Sequence, residues 1–320
     1  MRRRKPLFNI LLLVLSMIKE IEFDKIDDIA PILDLYRERY GENSLAENFI
    51  EQIKTSVSND KTSLFGTYDK NEILKGIGFF GKASARILLV FADGNMDLEK
   101  ELLGALCNRF QKEYSHIATG GAWIPWISAP LSQHLIEIGF VKYDRAHMTL
   151  DKNAIEELDE PILPAGMSFE VYSRSNRNEI SELIFRGNDG SVDQDVFPDF
   201  FGSLENCMKM VEDIEGDRYG EYKDGSSWIL RFDCVIIGAC FMTCMDGATG
   251  YIPDIVIEPE HRGKGLGRAL LIHSMKRQIE SNTTICKTDL DVTFSNTARY
   301  LYESLGFSTV EEYAMYTLKS

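Results

Sequence analysis

The stretch that most constrains the chain is residues 251–280, YIPDIVIEPEHRGKGLGRALLIHSMKRQIE. Ile252, Ile255, Val256 and Ile257 form a β-branched run that reads as a buried strand. Pro259 ends it, because proline has no N–H for a ladder. Arg262-Gly263-Lys264-Gly265-Leu266-Gly267 follows. An amphipathic helix comes next, with Leu266, Ala269, Leu270 and His273 inward and Arg268, Lys276 and Arg277 outward. A strand, a glycine-rich turn and a helix N-terminus together make an anion site. The glycines let backbone N–H groups converge, and the helix dipole adds partial positive charge. Arg262, Lys264 and Arg268 add full charges.

Spacing selects the anion. A Walker loop needs a Gly five residues before the Gly-Lys pair and a Ser or Thr after it, and neither stands here. The dinucleotide pattern G-x-G-x-x-G fails at Arg268 when started from Gly263, and at Leu270 when started from Gly265. The pattern present is R-x-x-G-x-G. It resembles the pyrophosphate loop of the GNAT superfamily, the GCN5-related N-acetyltransferases. Further on, Asp289-Leu-Asp-Val292, Asn296, Ala298, Leu301-Tyr302-Glu303 and Gly306-Phe307 are similar to that superfamily's last motif.

The resemblance implies an α/β fold with a mixed sheet, and direct transfer of an acetyl group from acetyl-CoA, as co-substrate, to a primary amine of a small molecule or peptide N-terminus. It assigns the coenzyme to backbone along Ile255, Val256 and Ile257 and to Arg262, Gly263, Lys264, Gly265, Leu266, Gly267 and Arg268. A backbone N–H near Ile257 would meet the thioester oxygen. Tyr302 is the implied acid for the leaving thiolate, its bland alternative being a core aromatic beside Leu301, Leu305 and Phe307. For the base, Asp254 and Glu258 lie four residues apart on one strand and so share a face. Glu258 reads as a solvated charge. Asp254 sits in an apolar run, where an acid either faces the site or makes a structural hydrogen bond. The superfamily's Asn stands seven residues before its Tyr. That position is Ser295 here, so either Asn296 or Ser295 reaches the coenzyme.

The chain has 320 residues, which suits two domains. Residues 1–16 imitate a signal peptide but are too short to span a bilayer and lack a cleavage site, so they read as a leader or an over-extended start. From residue 18 the pattern is strand, helix, three strands at 63–68, 74–80 and 86–91, a helix at 98–114, a strand, a helix at 131–138, and a strand ending at Leu150. Residues 151–166 carry two prolines and a charge cluster and read as a linker. Residues 167–320 repeat the plan. Ser175 and Asn176 predict a helix start at 178, with Glu179 closing a capping box. Gly139-Phe140 to Thr149-Leu150 matches Gly306-Phe307 to Thr317-Leu318 with one residue of slip. We therefore expect two tandem GNAT-like domains, 17–150 and 167–320, the first degenerate. Its loop, 91–101, has one glycine, no arginine and four acids, Asp93, Asp97, Glu99 and Glu101, which would repel a pyrophosphate.

The net charge of −15 argues against nucleic acid or an anionic membrane as partner. Six cysteines without a C-x-x-C pair or a completing His read as reduced residues of a cytoplasmic protein, with no metal site. Residues 189–224 hold eleven acids against Lys209, Arg218 and Lys223, interleaved with Phe197, Phe200, Phe201, Tyr219 and Tyr222. This segment reads as a wall for a cationic amine or as a solvated helix with a half-buried face. Trp123 and Trp126 read as the wall of a cleft or as loop packing. A binder or sensor of acyl-CoA without catalysis, or an interaction protein keeping the fold, is the alternative to an enzyme. It would not need Tyr302.

Overall fold

The structure, a computed structural model, describes residues 18–121 and 125–319. The leader and Trp123 lie outside the described residues. Two compact units divide the chain. One runs up to Lys142 and includes the segment from Ala314 on; the other is Tyr143–Tyr313. This division falls at other positions than the expected domains 17–150 and 167–320. The segment 151–166 is not a free linker, because Lys152–Glu157 is helical and its Ile155 is fully buried. The last strand of the first half, from Tyr143 on, falls in the second unit, and the last strand of the second half crosses into the first unit at Ala314.

In the first unit β1 (Ile18–Glu20), β2 (Thr62–Tyr68), β3 (Leu74–Gly81) and β4 (Arg86–Phe91) run antiparallel in order, and β4 is parallel to β5 (His116–Gly120). β5 then pairs antiparallel with Met315–Lys319, a segment from the far end of the sequence. Helices α1 (Ala30–Tyr40), α2 (Phe49–Ser58), α3 (Met96–Phe110) and α4 (Ala129–Glu137) accompany this sheet. The α3 residues Leu102, Leu103 and Leu106 are fully buried, and Phe110 stacks on Phe80 at 3.8 Å. Trp126 is buried here too, its indole N–H donating to the Leu88 carbonyl at 3.1 Å, so it packs a loop.

The second unit opens with β6 (Val141–Asp151), whose residues from Tyr143 belong to it, followed by α5 (Lys152–Glu157). Then come β7 (Met167–Val171), α6 (Arg177–Asn188), α7 (Val192–Val196), α8 (Pro198–Phe201) and α9 (Leu204–Glu215). β8 (Trp228–Phe232), β9 (Val235–Cys240), β10 (Thr243–Cys244), β11 (Thr249–Tyr251) and β12 (Ile255–Ile257) follow. α10 (Leu266–Ser281), β13 (Lys287–Thr293), α11 (Ala298–Leu305) and the start of β14 (Ser308–Lys319) complete it. One sheet has the order β12-β9-β8-β7. In the other, β6, β13, β11 and β10 are neighbours in that order. The expected capping box does not form at α6: the Glu179 carboxylate instead accepts from the Ile236 N–H at 3.4 Å, across to β9.

Candidate active site

The site begins where one strand changes sheets. The sequence suggests a single strand through residues 252–257, but the chain divides there. Ile252 donates to the Asp289 carbonyl of β13 at 3.0 Å, whereas the Asp254 carbonyl accepts from Phe241, just past β9, at 2.9 Å. Pro253, without an N–H, sits between and lets the ladder lapse. β11 therefore stays parallel to β13 while β12 pairs with β9, and a fork opens between them. β12 is the edge of its sheet. Asp254 and Glu258 bond toward β9, Glu258 N–H donating to Ile237 at 2.8 Å, so the alternation of an antiparallel ladder turns Ile257 N–H to the open edge.

The loop after β12 is braced from both sides. Arg262 Nε donates to the Ile257 carbonyl at 2.9 Å and Nη2 to the Gly187 carbonyl at 2.5 Å. Gly187 is required by contact: a Cβ there would stand 2.4 Å from Val256 Cγ2. Arg262 therefore shapes the turn, with Nε and Nη2 engaged by protein carbonyls. Gly263 and Gly265 take φ of 73° and 78°, the left-handed region that disfavours side chains. Gly265 starts α10 with no side-chain cap, and no N–H from 263 to 268 donates to another described residue. That row of free donors at the start of a 16-residue helix fits a pyrophosphate. Lys264 folds back to the Glu260 carbonyl at 3.0 Å, and Arg268 reaches Ser304 Oγ at 2.9 Å. Arg262, Gly263, Gly265, Leu266, Gly267 and Arg268 line the cavity that the fork opens; Lys264 is not among its lining residues.

The equivalent turn in the first unit is closed. Asn95 Oδ1 accepts from Leu98 N–H at 3.3 Å, the buried Glu99 carboxylate accepts from Ala92 N–H at 3.2 Å, and Arg39 fills the space beside Gly94. Two of its donors, the N–H groups of Ala92 and Leu98, are satisfied by the protein's own side chains.

The cavity of the second unit is about 810 Å³ and extends from the loop past Ile255, Val256 and Ile257 to Asp254, Tyr302 and Asn296. The Asp254 carboxyl is pushed up to about 7, first by burial and then by the charge of Asp193, and its Oδ2 has no hydrogen-bond partner among the described residues. Glu258 instead pairs with Arg186 at 2.8 Å, in keeping with a partly solvated charge. Tyr302 is buried on α11, with Phe307 edge-on at 5.9 Å. Burial raises its hydroxyl well above the ordinary phenol range, and the neighbouring Cys240, Asp193 and Asp254 act in the same direction. Tyr300, two positions away, is 71% exposed. Asn296 lines the cavity, but its amide is engaged internally: Oδ1 caps Ala298 N–H at 2.9 Å and Nδ2 donates to Asp193. Ser295 lines the cavity beside it.

Sequence reasoning missed a polar floor, a cluster of which Arg145, Tyr251, Asp291 and Tyr313 line the cavity. β6 and β13 are in register so that Thr149, His147 and Arg145 oppose Asp289, Asp291 and Thr293. His147 contacts Asp289 at 3.2 Å and Asp291 at 3.3 Å. These hydrogen bonds, Asp289's first, raise the imidazole to about 9. Burial would raise Asp289, but bonds from His147, Lys287 and Thr149 outweigh it and bring the carboxyl down to about 2. Tyr251 and Tyr313 each donate to Asp291 at 2.9 Å. Arg145 donates to Tyr313 Oη at 2.9 Å and Thr293 Oγ1 at 2.5 Å, and stands 3.6 Å from Asp193. The signal was present as polar residues alternating along both strands, but the chain positions assigned those strands to different domains.

Of the acidic segment 189–224, Asp189, Asp193, Phe197, Phe200, Phe201, Met210 and Tyr219 reach the cavity. Asp213 pairs with Lys209 and Arg218, and Glu215 with Arg177, away from it. All six cysteines are free thiols, Cys234 and Cys286 exposed and the others buried. Among the described residues no helix is long and apolar enough to cross a membrane.

Residues 223–309 match the family model described as an acetyltransferase (GNAT) domain. No curated protein matches the sequence. Solved structures match across 94% of the chain. A GCN5-related N-acetyltransferase from Sphaerobacter thermophilus is 13% identical with a TM-score of 0.59, over 95% of its own length. A tandem GNAT protein from the clavulanic acid biosynthesis pathway is 13% identical with a TM-score of 0.53, over 98% of its length. A GCN5-related glucosamine N-acetyltransferase region of a fungal multi-domain β-N-acetylglucosaminidase is 13% identical with a TM-score of 0.59, over 38% of that chain.

Proposed function

We propose that this chain, which carries the GNAT fold in tandem and matches the GNAT acetyltransferase domain over residues 223–309, transfers an acetyl group from acetyl-CoA to a primary amine. The observation that supports it best is one cavity holding four complementary parts: the free N–H row of 263–268, the open edge of β12, the Asp254 carboxyl near 7, and the Tyr302 hydroxyl. Acetyl-CoA as co-substrate supplies the acyl carbon and the sulfur leaving group. Loop N–H groups hold its phosphates, and Ile257 N–H faces the carbonyl oxygen where charge develops.

Asp254, ionised near neutral pH, takes one proton from the acceptor ammonium and later releases it to solvent. The freed nitrogen forms its bond to the acyl carbon as the carbon–sulfur bond breaks. Tyr302 gives its hydroxyl proton to the sulfur and regains one from the nitrogen, which leaves a neutral amide. The acidic chain and its free thiols fit a cytoplasmic enzyme acting on a small amine rather than on nucleic acid or a membrane. An amine panel with acetyl-CoA, read by thiol release, tests the reading. Coenzyme binding without thiol release from any amine would replace it with a sensor.

A further inference from the structure

The polar floor contains one group whose bonding is incomplete. Arg145 is 6% exposed, and two of its three nitrogens are engaged: Nε by Tyr313, and Nη1 by Thr293 with Asp193 beyond. Nη2 makes no hydrogen bond among the described residues, and Arg145 lines the cavity. Phe197 covers the guanidinium at 4.7 Å, so the free edge is desolvated on that side. A carboxylate is the group that fits the planar edge of a guanidinium at a cavity wall. Asp254 Oδ2, a polar atom of the same cavity without a partner among the described residues, has the opposite preference and suits an ammonium. Arg145, Asp254 and Tyr302 all line this one cavity.

We infer that the acceptor is an amino acid, its carboxylate held by Arg145 Nη2 while its amine lies at Asp254; this rests on the acetyltransferase reading above. The local charges agree. Arg145, His147 and Lys287 offset Asp193, Asp289 and Asp291 around the floor. A zwitterion keeps that balance, whereas a diamine would bring a second positive charge toward Arg145. Phe197, Phe200 and Tyr219 put aromatic rings on the wall, which favours an apolar side chain on the amino acid.

The test is a panel of α-amino acids, each paired with the amine left on loss of its carboxylate: phenylalanine with 2-phenylethylamine, leucine with 3-methylbutylamine, and so on. The full-length protein and acetyl-CoA are used, with thiol release as readout. The expected result is a kcat/KM about 10- to 100-fold higher for the amino acid of the best pair, the range for one hydrogen bond to a charged group. Arg145→Gln should erase that preference while the acetyl-CoA Kd stays unchanged. Arg145→Lys, which keeps the charge if the glutamine variant misfolds, should raise KM for the amino acid more than it lowers kcat. Equal or better turnover of the decarboxylated partners by the parent protein overturns the inference and leaves the acetyltransferase reading intact. So does a preference that survives in Arg145→Gln. Thiol release from no amine of either class overturns both.

Discussion

Asp254→Asn tests the buried carboxyl in two independent ways. In the folded protein the group is raised from an ordinary 3.8 to about 7, chiefly by burial, whereas in the unfolded chain it keeps its ordinary value. Between those pH values the folded state holds a proton that the unfolded state has lost. Stability from this group is therefore fully present below pH 3.8 and is lost as pH rises to about 7, beyond which it changes no further. At about 1.4 kcal/mol per tenfold the whole loss is about 4 kcal/mol. Asparagine has no such titration, so the variant's stability relative to the parent should climb by up to that amount between about pH 4 and pH 7 and then level. Urea unfolding at half-unit pH steps measures it, other titrations cancelling in the difference. In parallel, parent kcat/KM should fall below pH 7 as the base protonates. The variant should lose that limb along with about 100-fold or more of its rate. A stability difference flat from pH 4 to 8 would show that the carboxyl ionises as freely as in water. An acid limb near 7 that persists in Asp254→Asn would mean that another group is the base.

Gly265→Asp puts a side chain at φ 78° and a negative charge among free N–H donors, so the Tm rise given by acetyl-CoA should vanish; calorimetry on the parent should find one site per chain, since the first unit's turn is closed by Asn95 and Glu99. Tyr302→Phe should lower kcat about 100-fold with coenzyme affinity unchanged, while Tyr300→Phe, on the exposed face of α11, should be silent in the same assay. His147→Asn removes an imidazole raised from 6.5 to about 9; its contribution is fully present below pH 6.5 and is lost as pH rises through about 9, so parent and variant should differ most in denaturant midpoint at or below pH 6.5 and converge by about pH 10.

The glycine spacing and the β-branched run determined the strand, turn and helix of the loop, because each depends on backbone conformations that particular residues favour or forbid within a few positions. The same local logic found β2, β3 and β4 and the acids that replace the glycine pattern in the first half. What lay beyond it were choices of partner. Pro253 marks a break in bonding, but only tertiary contacts send β11 to β13 and β12 to β9 and so open the fork. Arg262 carries a charge suited to phosphate, yet the approach of Gly187 to Val256 brings a carbonyl within its reach and makes it a brace. Arg145 and His147 lie before the expected domain boundary, and their alternation with Ala146 and Met148 says only that they share a face. That this face meets Asp289, Asp291 and Thr293 is a matter of long-range register. Strand pairing is fixed by what the whole unit can bury together, and no local window of sequence contains that information.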